Sequence, residues 1–107
     1  MNVFTSNFKS HGRSEHAVAV SCGVPRWFRG RRMPALAPER KMISEPEETY
    51  RPYYAGLLAA LDVHAIAAEL GDGAILLCWE KPGEFCHRQM IADWLRAAGH
   101  TVTEIAK

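Results

Sequence analysis

Cys86-His87-Arg88 sets a thiol, an imidazole and a guanidinium in a row, eight residues after a second thiol, Cys78, and close behind the carboxylate of Glu80. A thiol attacks only as the thiolate, and a helix N-terminus or a neighbouring cation lowers its pKa. In this reading Cys86 is the nucleophile or general acid, His87 its proton partner and Glu80 the orienting acid. Arg88 is the clamp for an anionic group, which guanidinium holds bidentately. Consecutive residues on a helix point about 100° apart, so adjacency alone does not bring His87 onto Cys86.

The flanking segments say what positions this row. Ala74 to Trp79 is a continuous apolar run between Gly71-Asp72-Gly73 and Lys81-Pro82-Gly83, the pattern of a strand buried on both faces. Beyond the turn, Phe85, Met90, Ile91, Trp94, Leu95 and Ala98 recur at helical steps until Gly99. The row therefore falls where a strand gives way to a helix, the place where open α/β sheets gather ligands.

Two other chemistries use the same residues. Cys78, Cys86 and His87, with Cys22 as a fourth ligand, make a structural metal site conceivable, but the spacing matches no common zinc knuckle. Anion recognition without covalent chemistry needs only Arg88 and helix N–H groups. The leading reading calls for no metal and no cofactor. Cys78, inside an apolar strand, reads as a core residue, as do Trp79 and Trp94. His11, His16, His64 and His100 share no spacing and read as solvated.

A second constellation is Pro25-Arg26-Trp27-Phe28-Arg29-Gly30-Arg31-Arg32. Arginines interleaved with aromatics can hold phosphates while the rings stack on bases, so a non-catalytic nucleic-acid-binding module is the competing reading. Because this loop follows the second strand, it is expected at the same sheet end as Cys86. Arg26, Arg29 and Trp27 would then complete a pocket for a nucleotide-like or other phosphorylated small molecule.

The remaining elements form a single α/β domain over residues 1–107. Residues 2–8 and 17–21 read as strands, 7–15 as a polar loop, and 24–49 as a long ordered loop with four prolines and one helical turn near 38–42. Tyr50, Tyr53, Tyr54, Leu57, Leu58 and Leu61 make a helical stripe, with Pro52 in its first turn. Asp62 caps a second helix that Gly71 closes, and Thr101 to Ile105 alternates as an edge strand. The expected architecture is a small, mostly parallel sheet of about four strands with helices on its faces, Rossmann-like and three-layered.

Composition narrows the class. A net charge of +1 with 23% charged residues is ordinary for a globular domain, but residues 25–41 carry six basic side chains against one acid. No stretch approaches the ~20 apolar residues that span a bilayer, and three cysteines without framework spacing fit reduced thiols in a cytoplasmic protein. At 107 residues a partner chain would add to a modest core, so a homodimer is among the expectations.

The blocks Leu76-Leu77-Cys78-Trp79-Glu80, Cys86-His87-Arg88 and Ile91-Ala92-Asp93-Trp94-Leu95 resemble the signature of the family numbered 488 among the domains of unknown function. Pro25-Arg26-Trp27-Phe28 and Leu36-Ala37-Pro38 resemble a short subgroup of it. Thr5-Ser6-Asn7 resembles its first-strand motif, which implies a place for Ser6 in the binding site. The resemblance implies a compact α/β domain and no established reaction.

Overall fold

The computed structural model describes residues 1–79 and 86–107, and in it five strands form one parallel sheet in the order β3-β2-β4-β1-β5. Strand β1 (Asn2–Asn7) lies between β4 (Ile75–Cys78) and β5 (Thr101–Glu104), and β2 (Ala17–Ala19) lies between β4 and β3 (Arg31–Arg32). This is the expected α/β fold with one strand more. The additional strand, β3, has two exposed residues and so carries no apolar pattern of its own. It exists because Val18 and Ala19 of β2 offer it a register opposite Arg31 and Arg32.

Alternation in the strands separates two apolar layers. Val3, Val18, Leu76 and Val102 face one way, against α2 (Glu47–Ala59), α3 (Val63–Leu70) and α4 (His87–Ala97). Ala17, Ala19, Ile75 and Leu77 face the other way, covered by Phe8 of the short helix α1 (Phe8–His11) and by Phe28. The cover is unequal, with three long helices on one face and one helical turn plus a loop on the other.

Local signals explain most helix ends. The Asp62 side chain accepts hydrogen bonds from the amides of His64 and Ala65, which satisfies donors that the first turn of α3 leaves open. Gly71 ends α3 at φ 82° and Gly99 follows α4 at φ 97°, a region that L side chains avoid. Two corrections follow from side-chain capping and burial. Asn7 accepts from the amide of Ser10 and starts α1 within residues expected to be loop. Helix α2 begins at Glu47, three residues before the apolar stripe, so Pro52 lies in its interior and not in its first turn. Pro52 is exposed, where water can serve the backbone carbonyl that a proline leaves without an N–H.

The long segment 24–49 is ordered by its own apolar residues. Phe28, Met33 and Leu36 are buried, and short 3₁₀ turns occupy Pro34–Leu36 and Arg40–Met42. The Tyr54 hydroxyl donates to the Leu36 carbonyl at 2.5 Å and ties the segment to α2. Burial, and after it the neighbouring Tyr50 and Tyr53, raise the Tyr54 pKa beyond the usual tyrosine range, so it remains a donor. Among the described residues no helix is long and apolar enough to cross a membrane.

Candidate functional site

The carboxyl ends of β2 and β4 and the start of α4 surround a cavity of about 130 Å³. Cys86 is the N-cap of α4. Its backbone is extended, and its Sγ accepts from the Arg88 amide at 3.5 Å, so the sulfur sits where the N–H groups and dipole of an eleven-residue helix favour negative charge.

His87 is buried, and its Nε2 lies 2.8 Å from the Val20 carbonyl. A carbonyl only accepts, so Nε2 carries the hydrogen and Nδ1 of the neutral ring keeps its lone pair. That Nδ1 is 3.7 Å from the Cys86 sulfur. Burial lowers the His87 pKa below the ordinary histidine value, the Val20 bond partly opposes this, and the Arg88 charge adds to the lowering. The result is a neutral, oriented base beside the sulfur. The edge of the Tyr54 ring holds the imidazole from another side, with centroids 5.1 Å apart.

Arg88 takes a different part from the one its position in the sequence suggests. It is 1% exposed and turned toward β5, where Nε donates to Glu104 Oε1 at 2.9 Å. The same oxygen accepts from the Thr5 hydroxyl at 2.8 Å, and Arg88 Nη1 lies 3.0 Å from the Cys78 sulfur. The guanidinium therefore stands behind the sulfurs and positions them, and it does not line the cavity.

Cys78 and Cys86 are joined as a disulfide, which corrects the expectation that all three thiols are reduced. Cys78 ends β4 on the side that faces α4, and Cys86 begins α4, so the end of the strand and the start of the helix bring the two sulfurs together. Cys78 is buried, as its strand implies, but it is not an inert packing residue. Cys22 is the free cysteine of the described residues, partly buried, and it lines the same cavity. Among the described residues no three His, Cys, Asp or Glu side chains are grouped to hold a metal ion.

The other expected site residues are dispersed. Glu80 lies outside the described residues. Ser6 is fully buried, and its hydroxyl pairs with the partly buried His11 at Nδ1, 2.6 Å away on the α1 side of the sheet, so Ser6 does not line the cavity at the sulfurs. Both ring nitrogens of His100 are also buried. Trp27 and Arg29 line a separate cavity, and Arg26 is exposed between the two. The reason is β3. Since β3 runs parallel to β2, residues 22–30 must cross the sheet back to its amino end before β3 can start.

Other residues take their place around the sulfurs. Trp79 is 56% exposed and not core: its Nε1 donates to the Gly23 carbonyl at 3.0 Å, and its ring walls the cavity. Tyr50 and Ile43 form other walls, and Arg32 donates from Nη2 to the carbonyl of the lining residue Cys22 at 3.3 Å. In the sequence Tyr50 shows only as one member of a helical stripe, and Cys22 as a strand-end thiol that could serve as a fourth metal ligand. No protein-family model matches the chain, and neither the curated proteins nor the solved structures give a match.

Proposed function

We propose that this protein is a small thiol-dependent enzyme in which Cys86, freed when a thiol reductant exchanges with the Cys78–Cys86 disulfide and leaves both as thiols, acts on a small molecule in the cavity between β2 and β4. The observation that carries the reading is the environment of one atom. Cys86 Sγ receives a helix N-terminal amide at 3.5 Å, faces the neutral Nδ1 of His87 at 3.7 Å, and opens onto a cavity. His87 takes the thiol proton as base and returns it as acid, with Val20 fixing its tautomer. Cys78 resolves or protects the sulfur, and Arg88 holds Cys78 from behind. Arg32, bonded to the carbonyl of the cavity residue Cys22 and without an ion pair among the described residues, offers a contact to a nucleotide-like or otherwise phosphorylated substrate. Membership in the family numbered 488 belongs to the same proposal, carried by the Cys86-His87-Arg88 row.

Competitive alkylation read by mass spectrometry tests this. Before reduction, iodoacetamide is expected to label Cys22 alone. After reduction, Cys86 should react at pH 7 at least about tenfold faster than a simple thiol, as expected of a thiol with a depressed pKa. Reactivity equal to that of a simple thiol would remove the nucleophile role.

A further inference from the structure

The second cavity lies at the opposite, amino end of the sheet, where residues 12–15 lead into β2 and residues 29–31 lead into β3. Its volume is about 500 Å³, within the range of roughly 300–1,000 Å³ usual for small-ligand sites. Arg13, Arg29, Arg31 and Trp27 line it. Among the described residues none of these three arginines forms an ion pair, whereas Arg51, Arg88 and Arg96 each have a carboxylate partner. The one acid on the wall, Glu15, meets His16 at 3.4 Å.

The cations are nonetheless held in place. Arg31 donates from both terminal nitrogens to the carbonyls of Leu70 and Glu69 at the end of α3, and Arg29 donates to the Arg26 carbonyl at 3.2 Å. Arg13 lies over the Trp27 ring, 4.3 Å from its centre. A side chain at Gly12 would collide with Trp27, and one at Gly30 with Phe28 and the Ala17 carbonyl, so both loops sit against their neighbours with no slack. Three arginines without a carboxylate partner among the described residues line one cavity and make it electropositive, which favours an anion there.

We infer that this amino-end cavity binds the phosphate of a nucleotide, with Arg13 and Arg29 on the phosphate and Trp27 beside the base. The site is separate from the sulfurs and does not depend on their chemistry. Calorimetric titration of the full chain with adenosine monophosphate, adenosine and a single-stranded oligoadenylate, each at two salt concentrations, tests it. Binding of the phosphorylated probes is expected, weakened at least about tenfold by Arg13→Ala or Arg29→Ala, reduced by Trp27→Ala, and unchanged by Cys86→Ser. Both arginines are exposed, so unchanged melting temperatures should confirm that their variants are folded. An oligonucleotide that binds more tightly, with a log–log salt slope of about −0.7 for each phosphate contacted, identifies a nucleic-acid strand as the source; equal affinity identifies the free nucleotide. Absence of binding by both phosphorylated probes, equal binding of adenosine, or affinity indifferent to both arginine substitutions would overturn the inference.

Discussion

The two ends of the sheet treat positive charge in opposite ways. At the carboxyl end Arg88 is sealed inside, bonded to Glu104 and to the Cys78 sulfur, and it serves the cavity only through the atoms it positions. At the amino end Arg13 and Arg29 are exposed, without carboxylate partners among the described residues, and part of the cavity wall. Arginine type therefore says little about role. Burial and partner do, and the same residue type is a structural member at one end and an exposed cavity wall at the other.

Substitutions can break this contrast, and the largest effect is expected from Arg88→Ala. It empties a buried volume and leaves Glu104 and the sulfur pair without their cation, a loss of about 3 kcal/mol in urea unfolding. A loss below about 1 kcal/mol would show that Arg88 is not the internal post described here.

His87 gives the next largest effect through pH. Its folded pKa is lowered, chiefly by burial, while the unfolded chain takes up that proton near about 6.5. Between those values the unfolded state binds more protons. The stability that His87 contributes is thus complete above about pH 6.5, falls as pH drops, and levels off below the folded pKa, with a slope of up to about 1.4 kcal/mol per pH unit. The difference between wild type and His87→Gln, measured from pH 7.5 to 5, should show this slope; a flat difference would contradict the buried neutral imidazole. Tyr54→Phe removes the bond to Leu36 that closes the same end, at a cost of about 1 to 1.5 kcal/mol. Arg29→Ala should shift stability by less than about 0.5 kcal/mol while lowering nucleotide affinity, which would mark the amino end as binding surface and not framework.

What the sequence disclosed follows the range of the forces involved. Asp62 and Gly71 bound α3 through contacts within a few residues, and the apolar run before Trp79 declares β4 by itself. The disulfide and β3 were hidden because they arise from pairing: two residues, Arg31 and Arg32, become a strand only beside β2. That unseen strand decides where the arginine loop goes, so the single pocket expected around Cys86 divides into two. Trp79 misled for a related reason, since an apolar residue at the end of a run need not lie inside the strand's burial, and here it is a wall of the cavity. The Cys86-His87 pair was legible by type, but the direction of its ring nitrogens depends on Val20, 67 residues away.

The margins of the sheet follow from the same side chains. An open strand edge offers unpaired backbone groups to any other extended chain, and proteins blunt such edges with brevity, charge or an inward-pointing ionised residue. Here one border, β3, is two residues long and both are arginines; the other, β5, ends in Glu104, turned inward to Arg88. The residues that organise the two cavities thus also blunt the borders of the sheet against further strand addition.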